Sequence, residues 1–329
     1  MMTAQYSNRL ERLHQHQMLR RCRACAILLA VASGSAAAIP PSLPDAIPQD
    51  TVVAFFVDAR PEQPEPTSVA STLGVATFLM DQISRFGLFG SMDAECRGWM
   101  DGLASLSLLR DHPHAVALFD VRAGKLKDGG HRLAGVNAAL VVHTAGDNAK
   151  IEQRIQQLLN THTNSDESRL ATTTSDGRPI FTFRDRRLPD WFVVNWGVVG
   201  EYYVVALGEG SFQKIVDVLD ERAQSLAADA WFKKAFDKVR GPKAFFAITA
   251  RFDRIEAAAD TDLAKKIARV RKAVQLEDVE RGVWSVVFDD RAVRAQGMVR
   301  RGGRSDPQSL TTLQIGGVAP ERLIPEDAT

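Results

Sequence analysis

Leu207-Gly208-Glu209-Gly210-Ser211-Phe212-Gln213-Lys214-Ile215-Val216 joins a strand-like run to a helix-like one, and its reading decides the fold. Upstream, Trp191 to Val198 and Tyr202 to Leu207 are rich in β-branched and aromatic residues and meet at Val199-Gly200-Glu201, the pattern of a hairpin. Downstream, Ile215, Val218, Leu219 and Arg222 recur at helical spacing. On this reading Gly208 and Gly210 turn the chain from sheet to helix, and Ser211 caps the helix. The competing reading is a phosphate loop, in which the free N–H groups of a glycine turn and a helix N-terminus hold an anion.

The stretch is similar to the glycine-rich loop of protein kinases, in which Leu-Gly-x-Gly-Ser-Phe-Gly-x-Val lets the backbone approach ATP phosphates. Gln213 stands where the third glycine belongs, and a helix follows where the kinase loop needs a strand. No Val-Ala-Ile-Lys, His-Arg-Asp or Asp-Phe-Gly motif occurs, which excludes a kinase. The stretch is therefore read as a structural joint.

Working outward, hairpins dominate. Ser175-Asp176-Gly177-Arg178 turns Arg169–Thr174 into Ile180–Arg184, Ala115–Val121 pairs with Leu133–His143, and Val283–Phe288 pairs with Ala292–Arg300. Val52–Val57 and Ala244–Ala250 are single apolar strands. Helical periodicity covers about 67–86, 93–109, 148–161, 230–239 and 255–274. The expected fold is α+β, a mainly antiparallel sheet built from hairpins with helices packed on one face.

At the N-terminus, Arg20, Arg21 and Arg23 precede an apolar run from Ala24 to Ala32 and then Ser33-Gly34-Ser35-Ala36-Ala37-Ala38, the pattern of an export signal cleaved after Ala38. The run is short for a membrane span, and a retained leader would give membrane association. The expected organisation is a signal peptide at 1–38 and a proline-rich tether at 39–50. A single α+β domain of two intimate sub-repeats follows at 51–304, with a flexible tail at 305–329. Cleavage lowers the basic count from 41 to 36 and the acidic count from 40 to 39, leaving about −3. The mildly acidic balance gives no sign of a nucleic-acid footprint, and the basic cluster Lys265, Lys266, Arg269, Arg271 and Lys272 reads as a solvated helix face rather than one turned to an anionic partner. Cys22 and Cys25 fall in the leader, so Cys96 alone remains and no intramolecular disulfide can form in the mature chain.

Candidate chemistry is sparse. Asp111-His112-Pro113-His114, with His131 and His143 nearby, has metal-like spacing, but the residues sit in loops or at strand ends rather than in a converging set. No Gly-x-Ser-x-Gly or His-Glu-x-x-His occurs. No cofactor, metal or catalytic residue is expected. Trp191, Trp196, Tyr202 and Tyr203 form the densest aromatic cluster, on a hairpin whose alternate residues face opposite sides. They are the candidate surface for a ligand or an envelope partner.

Pro48-Gln49-Asp50-Thr51-Val52-Val53-Ala54-Phe55, reached through an export leader, and the later Tyr202-to-Ser211 step resemble exported bacterial envelope proteins of the domain-of-unknown-function families. The resemblance spans Pro44 to about Arg300; it implies export and a mixed α+β domain, and it supplies no reaction. The C-terminal Leu323-Ile324-Pro325-Glu326-Asp327-Ala328 echoes Ala46-Ile47-Pro48-Gln49-Asp50-Thr51, as expected of one unit of a two-unit ancestor. The functional expectation is an exported, non-enzymatic structural or binding protein of the periplasm or envelope. A hydrolase with a site dispersed in sequence and a small-molecule or lipid carrier with an apolar cavity are the alternatives.

Overall fold

The computed structural model describes residues 43–57, 112–125, 131–144, 146, 148–162, 168–240, 244–258, 265, 268–269, 271–272, 276–289, 292–302 and 308–316. The leader and the helices expected over 67–86 and 93–109 lie outside them. The strands are β1 Val53–Val57, β2 His114–Lys125, β3 His131–His143, β4 Ser168–Ser175, β5 Arg178–Asp185, β6 Val193–Val199, β7 Tyr202–Leu207, β8 Ala244–Arg251, β9 Val279–Asp289, β10 Ala292–Arg301 and β11 Gln308–Gly316. Helices α1 Ala149–His162, α2 Ser211–Leu219, α3 Ala230–Val239 and α4 Phe252–Ala258 complete the described framework.

All the strands join one sheet in the order β11-β10-β9-β8-β1-β2-β3-β7-β6-β5-β4, and every neighbouring pair is antiparallel. The fold is α+β. Its order reflects the hairpins, because a short turn leaves the next strand no place but beside the last. The exception is β1, which pairs with β2 on one side and with the distant β8 on the other, Phe55 opposite Val116 and Ile248.

The helices occupy both faces, where one was expected. Along β7, Tyr202, Val204 and Ala206 enter one core, while Tyr203, Val205 and Leu207 enter another on the opposite side. Onto the first face α2 lays Phe212, Ile215 and Val216, and α3 lays Phe232 and Phe236, which bracket Phe56 of β1 at ring distances of 6.2 and 5.5 Å. Onto the second α1 lays Ile151, Ile155 and Leu159. All six residues of β7 are buried, so water is excluded from both of its sides and both need cover. Asp229 caps α3, accepting from the Phe232 N–H at 3.0 Å.

Two boundary expectations are corrected. Residues 43–50 of the supposed tether belong to the first core: Leu43, Ala46 and Ile47 are fully buried around a 3₁₀ turn at Pro44–Ala46. The Leu226 N–H donates to the Ile47 carbonyl at 2.6 Å and the Gln49 N–H to the Gln224 carbonyl at 3.0 Å, tying the segment to the turn between α2 and α3. The prolines give it stiffness, and the apolar residues between them give it an anchor. The supposed tail contains β11, which extends the sheet beside β10. Among the described residues, no helix is long and apolar enough to cross a membrane.

The joint at Leu207–Val216 has the expected role with one difference. Gly210, at φ 76°, takes the N-cap position, and Ser211 is the first helical residue, buried rather than capping. Gly208 has φ 87°, and a Cβ there would collide with the Val136 carbonyl oxygen and with Asn137 Oδ1. Around Gly210 nothing lies within 4 Å of such a carbon. Gly210→Ala should therefore cost about 1–2 kcal/mol, the penalty of a left-handed conformation alone. Gly208→Ala should cost clearly more, and urea denaturation of the two variants giving equal losses would contradict this account.

Candidate functional site

The β4–β5 hairpin turns at Asp176 and Gly177, with φ of 50° and 74°, as a two-residue loop that matches strand twist. Its register runs without a break from Ser175 opposite Arg178 to Ser168 opposite Asp185, and it sets Arg169 directly opposite Arg184. Like charges in such a pair repel, at a cost of about 0.2–1 kcal/mol. Arg184 lies 3.8 Å from Glu209, but both side chains are largely in water and the pair contributes little.

Beyond β5 the chain folds back through residues 186–192. Asp185 has no exposed side-chain surface; its carboxylate accepts from the Arg187 guanidinium at 2.6 and 3.0 Å, from the Arg187 N–H at 2.9 Å and from the Ser168 hydroxyl at 2.8 Å. The Arg187 hydrogen bond, opposed by burial and aided by the backbone and Ser168 donors, holds this carboxyl well below the usual carboxylate range. Leu188 N–H donates to the Asp185 carbonyl and Phe192 N–H to the Pro189 carbonyl, and both side chains plunge into the second core. The result is a recess of about 210 Å³ lined by Arg169, Arg184 and Arg186, by the acidic Asp185 and Asp190, and by the apolar Leu188, Pro189 and Phe192. Three arginines against two acidic residues, beside apolar side chains, suit a carboxylate or phosphate attached to a hydrophobic body.

The aromatic hairpin is placed differently from the expectation. Trp196, Tyr202 and Tyr203 are buried, so they build the two cores and do not form a platform for a partner. Trp196 stacks on Phe181 at 5.6 Å, and Tyr202 meets His143 edge-on at 5.4 Å. The Tyr203 hydroxyl donates to Glu152 of α1, and burial followed by that carboxylate pushes the phenol above its ordinary range. Trp191 is half-buried in the loop that also carries Leu188 and Phe192.

Among the described side chains, His112, His114 and His143 form no converging set. His114 Nδ1 lies 2.9 Å from the His112 carbonyl, and His143 Nε2 lies 3.3 Å from Glu201. Among the described residues no group of three or more His, Cys, Asp or Glu could hold a metal ion. Sequence reasoning passed over Arg169, Arg184 and Arg186 because charges in a polar hairpin look solvated. The signal was available in the turn: counting back from Ser175 and Arg178 sets residue 169 against residue 184.

No family model matches the chain, and no curated protein matches it either. Two solved structures are similar to it. Crystal form III of TP0453 has 8% identity and a TM-score of 0.36 over 79% of this chain and 80% of that one. Crystal form I of TP0453 has 11% identity and a TM-score of 0.36 over 80% of each.

Asp185→Asn should destabilise the protein by roughly 2 kcal/mol near pH 7, because the Arg187 and Ser168 donors lose a charged acceptor. A depressed carboxyl stabilises the fold fully above its unfolded pKa, near 4, and progressively less as pH falls through the folded value. Denaturation curves of the two proteins should therefore converge on acidification below pH ~4. A gap that persists unchanged well below pH ~4 would remove Asp185 as the loop's anchor.

Proposed function

We propose that the chain is an exported, non-enzymatic binding protein of the bacterial envelope, and that the arginine-lined recess holds the anionic group of an amphiphilic ligand. Arg169 opposite Arg184 is the observation that carries this reading. Two cations in a directly opposed pair cost stability when empty and give a carboxylate or phosphate two forks when filled. The apolar lining by Leu188 and Phe192 supports a ligand with a hydrophobic body. A hydrolase would need a nucleophile beside a general base; of the two acidic residues lining the recess, Asp185 is held by Arg187 and Ser168, and no Ser, Thr, Cys or His lines it beside Asp190.

Binding is tested by calorimetry with inorganic phosphate, with decanoate, and with vesicles containing an anionic phospholipid. Decanoate or vesicles should bind more tightly than phosphate alone, and the comparison separates a free amphiphile from a lipid surface. Arg169→Ala should weaken binding by roughly tenfold or more while leaving stability equal or slightly higher, since it removes a repulsive pair. Undiminished binding by that variant would sink the proposal.

Export has its own test. The chain recovered from an envelope fraction should begin at Ile39 or a near neighbour by mass spectrometry, a cut that spares the buried anchor from Leu43 onward. A mature N-terminus inside residues 43–50 would contradict it, since that chain would have lost part of its core.

A further inference from the structure

We propose that β4 is a self-association edge, on which two copies of this chain pair antiparallel about a two-fold axis at Ala171. Four observations carry it. First, β4 ends the sheet, and its residues from Arg169 to Thr174 are exposed. Second, the Asp176-Gly177 turn makes Ser175 and Arg178 a hydrogen-bonded pair, so Thr173, Ala171 and Arg169 also bond inward to β5. The N–H and C=O groups of Leu170, Thr172 and Thr174 consequently point outward, along the direction a further strand would take.

Third, the edge has little of the usual protection, Arg169 being its one charged residue. It contains no proline or lysine, and its ladder with β5 runs through all eight residues without a register shift. The opposite edge differs: the β10–β11 ladder shifts between Ala295 and Gly297. Fourth, Leu170 is 54% exposed, and it is the exposed large hydrophobic side chain among the described residues. It stands opposite Phe183, so it lies at the rim of the second core.

These constraints choose the register. An axis perpendicular to the sheet keeps each face on its own side, so residues pair with others of the same parity. Centring on Ala171 sets Leu170 opposite Thr172 of the second copy and brings the two Leu170 side chains into diagonal contact. Arg169 then faces Thr173, and no like charges are opposed. Centring on Leu170 would oppose the leucines directly but pair only residues 168–172, and centring on Thr172 would separate the leucines. The interface is one strand wide, so the association is expected to be weak and concentration-dependent.

Sedimentation velocity over a concentration series tests the proposal, with circular dichroism confirming that each variant folds. The wild-type chain should pass from monomer to dimer. Thr172→Pro removes an outward N–H without touching the β4–β5 bonds, and Leu170→Lys charges the contact; each should raise the dimer dissociation constant by about tenfold or more. In a background of Cys22→Ser, Cys25→Ser and Cys96→Ser, Ala171→Cys should form a disulfide dimer on mild oxidation, because the two positions meet across the axis. Ser175→Cys should not. A monomer at every concentration, a dimer indifferent to Thr172→Pro, or growth into filaments through β4 and β11 would each overturn the two-fold arrangement.

Discussion

The whole sheet is joined through the five residues of β1. Val53–Val57 pairs with β2 on one side and β8 on the other, so each backbone polar group in the strand finds its partner in a segment far away in sequence. Strand pairing alone would not select so short a run. Its position is fixed by Phe56, fully buried between Phe232 and Phe236 of α3, and by Ala54, which leaves room for that approach. The preceding segment adds a second constraint, with Leu43 and Ile47 in the same core and Pro48 bridged to Ser225. The start of the described chain is thereby clamped to the turn that introduces α3.

An approximate two-fold relation arises from that central pairing. Reading outward from β1 gives β2 then β3; reading outward from β8 gives β9 then β10, with antiparallel neighbours throughout. Past β3 and β10 the halves diverge. After β3 the chain adds α1, the β4–β7 meander, α2 and α3, and it covers both faces with them. Arg281 joins the halves a second time: it pairs with Asp229 at the start of α3, and its guanidinium lies 4.5 Å over the Trp231 ring.

Much of this was legible. Asp176-Gly177 and Val199-Gly200-Glu201 announce their turns, and helical spacing from Ile215 and from Ala230 announces α2 and α3, because turn chemistry and periodicity are local. Long-range pairing has no such signature, so nothing in Val53–Val57 names β8 as its neighbour. The two-sided cover was encoded and underread: Tyr202-Tyr203-Val204-Val205-Ala206-Leu207 is apolar at every position, and a half-exposed strand would alternate. Residues 43–50 read as a tether because proline was weighed above the apolar residues it spaces. The recess depends on a fold-back from Asp185 to Phe192, whose geometry comes from hydrogen bonds that no periodic pattern reports.

The β4–β5 hairpin differs in kind from the rest of the sheet. Strands such as β7 are held in register by burial, since a one-residue slip would exchange their core-facing and opposite-facing side chains. β4 has almost no buried surface to penalise a slip. Its register is instead held at both ends by polar geometry: the tight turn at one, and Ser168 bonded to the anchored Asp185 at the other. The turn end is tied down further by Arg178, which forms two hydrogen bonds of 2.7 and 2.8 Å with Asp220 just beyond α2. Fixed in this way, β4 keeps its own surface unburied while Phe183 of β5 enters the second core. The hairpin can hold two arginines face to face and leave a strand edge open, neither of which a strand registered by its core could readily sustain.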